Sequence, residues 1–575
     1  MATITMFIDG QEILAEEGST VLQAATAAGI RIPTLCHHDA LTDWGACRMC
    51  LVEVEPRGLL QPACTYPVNP GLRVLTASEK VVKARRFVLQ LLFSERNHYC
   101  MFCAASGECE LQDLAYEYGL DHWLYARPNQ RLPVDASRQY FVMDHNRCIL
   151  CRRCVRACSE VSAVRTLAVG SRGARSLIVA DLNQPFGSSS CISCGTCLEV
   201  CPTGALIDRK SAYLGIDEQL DRQETLCFGC SVGCRVTVRS RAGRLVRVES
   251  DWEAPVNGGL LCRLGRFDPT RVTAARVRLP MRRVNGRLEP CTWEEALSSA
   301  AERLTGARTN GGLTVLVSSR ATNEELDGLM AAFSRLAGDQ GIALYDGRLP
   351  PAAPGPLASL ADVEHAGVIV ALAADLEEEH QVVGCFVRRA LDRGARLFVI
   401  GGNVGSLADL ATMSEEADPR QVAGMVDDAG VTPLVLYGPE ATTQVLEAFA
   451  SIAGTRFLGL PSGTNTMGAA EKGIYAAVQR PSALKYVYAA DDDDPQVAGP
   501  PADFTIVHAC YRSPLVDQAD LVLPALHWTE KKGHLTNLEG RVQEVMRCIE
   551  PPDGLRQDQE VFAALAEMAG QRVVR

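Results

Sequence analysis

Cys148-Ile149-Leu150-Cys151-Arg152-Arg153-Cys154-Val155-Arg156-Ala157-Cys158 and Cys191-Ile192-Ser193-Cys194-Gly195-Thr196-Cys197-Leu198-Glu199-Val200-Cys201-Pro202 decide how this chain is read. The two runs space their cysteines identically, so the segment is an internal repeat. Thiolates are soft anionic donors, and four of them suit an iron–sulfur cluster. The N-terminus shows no basic stretch followed by an apolar one, so a secretory signal is not expected. In a reducing compartment dense, regularly spaced cysteine reads as metal binding rather than as a disulfide framework.

This spacing resembles bacterial two-cluster ferredoxins, where the fourth cysteine of each run ligates the other cluster. The resemblance implies one [4Fe–4S] cluster on Cys148, Cys151, Cys154 and Cys201, and another on Cys191, Cys194, Cys197 and Cys158.

Outward from the repeat lie three further constellations. Cys36, Cys47, Cys50 and Cys64 combine a long loop with a close pair and small neighbours, Gly45 and Ala46, which fits a [2Fe–2S] cluster; a zinc site is the alternative. His98, Cys100, Cys103 and Cys109 could form a Cys3His zinc site in isolation, but their place among iron–sulfur motifs points to [4Fe–4S]. Cys227, Cys230 and Cys234 with the distant Cys262 suit [4Fe–4S] better than the paired knuckles of a zinc ribbon. Of the 23 cysteines, 19 lie between Cys36 and Cys262, and these five sites use all of them. Five clusters of these types would hold about 18 irons. Cys291, Cys385, Cys510 and Cys548 remain, and read as small buried hydrophobes.

The flanking segments supply the scaffold. Thr3–Ile8 and Gln11–Ala15 read as a hairpin turning at Asp9-Gly10, Ser19 as the cap of a helix over Thr20–Ala28, and Leu51–Glu55 as a strand. Ser78–Glu95 has helical spacing. Beyond about residue 290, apolar runs (Leu313–Val317, Val368–Leu372, Leu397–Ile400, Pro433–Tyr437, Phe504–Val507, Ala519–Leu523) alternate with helical stretches, implying a mainly parallel sheet. Asp491–Asp494 reads as a solvated acidic loop. A net charge of −12 argues against a nucleic-acid partner, and no apolar run is long enough to span a bilayer. The expected location is the cytoplasm or the cytoplasmic side of a membrane complex.

The order of motifs resembles one superfamily: the large, G-type iron–sulfur subunit of complex I (NADH-quinone oxidoreductase) and the alpha subunit of NAD-dependent formate dehydrogenase. Glu95–Cys100 and Cys109–Gln112 look similar to the small diaphorase subunit of NAD-reducing hydrogenases; Thr292–Leu297, Ala519–Pro524, Glu530–Gly533 and Asn537–Gln543 look like the family's molybdopterin-type segments. The resemblance implies an α+β multidomain chain. Its expected parts are a β-grasp [2Fe–2S] ferredoxin-like module (1–78), a His/Cys3 [4Fe–4S] module (79–138), a two-cluster [4Fe–4S] ferredoxin-like segment (139–218), a [4Fe–4S] module of the Mo/W-bisMGD type (219–275) and a truncated α/β molybdopterin-oxidoreductase-like domain (276–575). Three features depart from the family. Both ferredoxin runs are complete, whereas the complex I protein usually keeps one cluster there. His98 precedes Cys100 by one intervening residue rather than three, and the pterin part looks degenerate.

No His-x-x-Arg stands beside a candidate metal-binding Cys in the last domain, Leu264 stands where pterin relatives place a lysine, and catalytic relatives continue past residue 575. Gly459–Gly468 is Gly-rich but is neither a dinucleotide fingerprint nor a Walker motif. The expectation is an electron relay with no substrate site and no molybdopterin of its own. NAD(P)H and FMN would sit on a partner flavoprotein similar to the F-type subunit of complex I, together with a small [2Fe–2S] partner similar to its E-type subunit. Beyond these, the other redox partner is a quinone arm, ferredoxin, hydrogenase or other reductase. The alternative is a catalytic, formate dehydrogenase-like molybdopterin subunit.

Overall fold

The computed structural model describes residues 2–122, 124–125, 131–307, 312–337, 341–413, 418–428, 430–476, 481–499 and 501–570. Parts of the 116–139 stretch and the last five residues of the expected fifth domain lie outside them. The chain divides into two compact units, Met1–Leu220 and Asp221–Arg575.

In the first unit, strands Thr3–Ile8 and Gln11–Glu16 form the expected antiparallel hairpin. Its turn places Asp9 and Gly10 at φ 51° and 83°, the left-handed pair that a tight hairpin requires. Strand Arg73–Leu75 adds in parallel to Thr3–Ile8, and Leu51–Val54 and Leu59–Pro62 complete a five-stranded mixed sheet. Helix Val21–Ala27 packs Val21, Leu22, Ala24 and Ala25 against it. The cap is Thr20, not Ser19: Thr20 accepts from Gln23 N and Gln23 returns a bond to Thr20 N, while Ser19 Oγ turns back to Glu16 O. Two adjacent hydroxyls both offer a cap, and the reciprocal glutamine three residues on selects the second. Helix Glu79–Glu95, capped by Ser78, follows and leads directly into the His98 region. The ferredoxin repeat places two short helices, Arg153–Arg156 and Thr196–Glu199, just inside its two cysteine runs.

The second unit opens with an antiparallel sheet of Asp221–Leu226, Arg235–Arg241 and Arg244–Ser250. Cys227 leaves the first of these strands and Cys234 enters the second. The remainder is α/β, but in two sheets rather than one. The larger runs in the order 287–290, 281–284, 521–524, 504–509, 484–490, 313–317, 342–344, parallel except at its first two strands. The smaller is wholly parallel: 396–403, 368–375, 433–437, 456–459. Val368–Leu372 is buried throughout, which is why such strands read as continuous apolar runs. Strands Leu484–Ala490 and Arg456–Gly459 complete the sheets but were not marked by the runs above. Among the described residues no helix is long and apolar enough to cross a membrane.

Candidate iron–sulfur sites

One local device recurs at four of the cysteine runs. The backbone N–H two residues after the leading cysteine points at its sulfur: Met49 at Cys47 (3.5 Å), Leu150 at Cys148 (3.4 Å), Ser193 at Cys191 (3.4 Å) and Gly229 at Cys227 (3.3 Å). In the ferredoxin repeat the same backbone produces it twice. Leu150 and Arg152 are left-handed (φ 53° and 62°), as are Ser193 and Gly195 at the matching positions (58° and 75°). Successive turned amides of this kind form a concavity that favours an anion, here a thiolate.

Cys36, Cys47, Cys50 and Cys64 come together at the edge of the five-stranded sheet. Hydrogen bonds between the sulfurs, Cys47 with Cys36 and Cys64 with Cys50, drive the Cys36 and Cys50 thiols down and those of Cys47 and Cys64 up. The four therefore share protons as one group.

His98, Cys100, Cys103 and Cys109 line a single cavity, closed from the ferredoxin segment by Arg147, Thr203 and Gly204. Gly204 is obligatory there: a Cβ would lie 2.5 Å from Cys103 Sγ. The His98 ring packs 5.3 Å from that of Phe93.

Cys148, Cys151 and Cys154 share a cavity with Cys201, not with Cys158. Cys158 instead faces Cys194 and Cys191, and Cys197 faces all three. The crossed pairing expected from the ferredoxin resemblance is thus the pairing that the fold brings together. Thr203 lines both this cavity and that of His98.

In the second unit Cys227, Cys230, Cys234 and Cys262 are all buried. Gly265 approaches so closely that a Cβ would stand 2.9 Å from Cys227 Sγ. Burial pushes the thiols up: Cys148 and Cys191 to about 11, Cys109, Cys158 and Cys227 to about 12. Each therefore holds its proton until a metal displaces it, and assembly releases protons. Among the described residues no three such side chains converge as a site for a single ion; at the His98 and Cys148 sites they line a cavity. Cys385 and Cys510 are buried in apolar cores, Cys291 packs against one, and Cys548 Sγ donates to Met546 O.

Sequence reading missed the clamps. Arg156, buried between Cys154 and Cys158, donates to Cys36 O and Thr42 O. Glu160 accepts from Thr42 N and Oγ1 at 2.8 and 2.6 Å. Arg153, also buried, forks onto Glu110, the neighbour of Cys109. One short helix thus ties three sulfur sites. The signal was present: three arginines lie inside the first cysteine run. His37 pairs with Asp43 and Asp39, and His145 lies between Pro133 O and Ile178 O, so neither ring meets a sulfur site through these bonds.

In the α/β region, strand order reverses beside 313–317 and beside 368–375, the crevices where such folds take nucleotides. Both hold carboxylates. Asp346 accepts from Ser319 N (2.6 Å) and Ser318 Oγ (2.7 Å). Asp375 Oδ1 accepts from the amides of Glu377, Glu378 and Glu379 at 3.2, 2.8 and 3.3 Å. The Gly-rich loop is spent likewise: Gly463 N donates to Glu379, Thr464 N and Asn465 N to Ser319. The acidic run is not a solvated loop. Asp491 is buried and forks with Arg320, and Asp492 accepts from Tyr345 Oη. A charge run loses its solvent when an arginine from the neighbouring strand end reaches it.

Grasp-type sheet, crossed cysteine repeat and buried four-cysteine site define a multidomain iron–sulfur protein. Family models match it in succession: a 2Fe-2S iron-sulfur cluster binding domain (1–79), the NADH-ubiquinone oxidoreductase-G iron-sulfur binding region (85–123), an NADH-quinone oxidoreductase subunit 3 ferredoxin-like domain (139–207), a molybdopterin oxidoreductase Fe4S4 domain (221–273) and molybdopterin oxidoreductase (276–426 and 435–568). The chain is 28% identical over 599 residues to the mitochondrial NADH-ubiquinone oxidoreductase 78 kDa subunit of Candida albicans, covering 99% of this chain and 83% of that one. It is 37% identical over 326 residues to the second G-type subunit of the NADH-quinone oxidoreductase of Rhizobium meliloti, covering 56% of this chain and 38% of that one. With the alpha subunit of the NADPH-Fe(3+) oxidoreductase of Geobacter sulfurreducens it shares 33% over 326 residues, with the same coverages of 56% and 38%. The chain belongs to the family of G-type, or 78 kDa, iron–sulfur subunits of complex I that carry a molybdopterin-oxidoreductase domain.

Proposed function

We propose that this chain is the electron-relay subunit of an NAD(P)H-linked multisubunit oxidoreductase, holding one [2Fe–2S] and four [4Fe–4S] clusters and no molybdopterin. The ligands are Cys36, Cys47, Cys50 and Cys64; His98, Cys100, Cys103 and Cys109; Cys148, Cys151, Cys154 and Cys201; Cys191, Cys194, Cys197 and Cys158; and Cys227, Cys230, Cys234 and Cys262. The observation that carries the reading is the repeated amide-to-sulfur contact, at 3.3–3.5 Å, on the leading cysteine of four runs. When bound, iron–sulfur clusters supply one-electron oxidation and reduction, tuned by charge, hydrogen bonds to sulfur and exposure.

The chain's own residues hold the thiols apart, point amides at them and exclude water. Thr203 separates two sulfur cavities by one residue. Arg153 and Arg156 fix neighbouring sites to one helix. Such rigidity suits transfer over fixed gaps.

A pterin dinucleotide does not fit. Its phosphates need free backbone amides at the strand ends, and Asp346, Asp375 and Glu379 take them. Leu264 lies against the Cys227 loop, where a Cβ on Gly229 would be 3.1 Å from its own Cβ, and offers no donor. These features support a degenerate domain kept as scaffold. NAD(P)H gives up a hydride, so a flavin on a partner subunit must split it into single electrons. The chain purified alone should show cluster signals that NAD(P)H leaves oxidised, and addition of the flavoprotein partner should reduce them. Reduction by NAD(P)H of the chain alone would overturn the assignment.

A further inference from the structure

The loop of Cys227, Cys230 and Cys234 is met by a charged pair that the relay reading does not use. Arg320 follows strand Leu313–Val317, and its Nη1 donates to the carbonyl oxygen of Phe228, next to Cys227, at 3.0 Å. Its other two donors fork onto Asp491: Nε to Oδ1 at 3.0 Å and Nη2 to Oδ2 at 2.9 Å. Asp491 follows the neighbouring strand, Leu484–Ala490. Its side chain is 1% exposed and that of Arg320 is 27% exposed. Thr464 Oγ1 reaches the same Phe228 oxygen at 2.6 Å, so the loop is pinned where the guanidinium touches it. Lys531 Nζ, 3.4 Å from Arg320 O, is engaged by Glu325 at 3.0 Å. Arg263, beside Cys262, is turned to Asp268 and Glu378.

The pair is therefore oriented. Its positive end bonds to the cysteine loop and its negative end reaches that loop only through the guanidinium. Adding an electron to a group on those sulfurs is favoured by the nearer positive charge, and burial weakens the screening. A guanidinium does not deprotonate in proteins, so the influence is constant with pH. We propose that the Arg320–Asp491 pair is a fixed electrostatic element that raises the reduction potential of the cluster on Cys227, Cys230, Cys234 and Cys262. Arg320 is the positioning residue in direct contact with the loop. The inference rests on the ligand assignment above and adds to it what sets that site's potential.

The test is a redox titration, followed by paramagnetic resonance, of the intact purified complex carrying Arg320→Gln, Asp491→Asn or both. The signal to follow is the one that Cys230→Ser removes. Arg320→Gln leaves a buried carboxylate uncompensated, so at fixed ambient potential the oxidised-to-reduced ratio should rise at least tenfold, 59 mV for one electron. Asp491→Asn should move the ratio the opposite way, and the double variant should fall between. If Arg320→Gln does not assemble, Asp491→Asn alone carries the sign. A signal present in the parent but unmoved, or moved in the same direction by both variants, overturns the inference. If no signal depends on Cys230, the ligand assignment itself fails and the inference falls with it.

Discussion

Gly204→Ala should remove one cluster while leaving the rest of the chain folded. Gly204 follows the ferredoxin repeat but faces the His98 site. A methyl there would lie 2.5 Å from Cys103 Sγ and 3.1 Å from the Ala105 Cβ. Ordinary carbon–sulfur contact needs about 3.4 Å or more, so the sulfur must retreat by about 0.9 Å, in keeping with the off-rotamer shifts that overpacking forces. Its way out is bounded by the other lining residues of the cavity, Phe93, Leu111 and Gln112 among them. An overpacked site typically costs about 1–3 kcal/mol, a small fraction of a large domain's burial, so the fold should hold. A metal–sulfur bond of about 2.3 Å tolerates only a few tenths of an ångström, so the ligand should be lost. Iron per chain should fall by about four, with one paramagnetic signal missing and the others unchanged. Gly170→Ala is the control: its Cβ would meet Val179 Cγ1 at 2.7 Å, a comparable clash with no sulfur in it. It should lower Tm and keep full iron. Unaltered iron and spectra in Gly204→Ala would refute the reasoning, because Cys103 could not then be held where the fold places it.

His98→Cys should shift one cluster's potential downward, since it adds negative charge; an unchanged titration removes His98 from the ligand set. Lys531→Met should cost about 3–5 kcal/mol in chemical denaturation, because Lys531 is buried and compensates Glu325 at 3.0 Å and Asp558 at 3.9 Å; a loss under about 1 kcal/mol would mean those carboxyls are already neutral. Burial pushes Glu379 up to about 7 from an ordinary 4.5. The folded chain thus binds the extra proton between those values, and this group's contribution to stability is full below about pH 4.5 and lost as pH rises through about 7. Glu379→Gln should flatten that part of the Tm–pH profile and raise Tm at pH 8; an unchanged slope would assign the pH dependence elsewhere.

What the sequence made legible was local. Cysteine spacing is set by the turn that wraps a cluster, so the ligand runs announce themselves. The crossed pairing of Cys158 and Cys201 was accessible only through a known pattern. Buried parallel strands such as Val368–Leu372 are apolar because both faces are covered, and read accordingly. What stayed hidden depends on distant partners. Asp491 looks solvated until Arg320 is brought to it, and Gly204 looks like an ordinary loop glycine until Cys103 lies against it. Arg156 gave no local hint that it would hold Cys36 O, 120 residues away. The split into two parallel sheets also lay beyond local patterning, because each strand run is compatible with either.

The most direct test of the account is metal analysis of the complex purified without oxygen, normalised to this chain after its partners' metals are assigned. The account predicts about 18 irons in the chain, no molybdenum or tungsten, and no zinc on its thiols. Zinc at the cysteine sites, or stoichiometric molybdenum or tungsten in the α/β region, would contradict it.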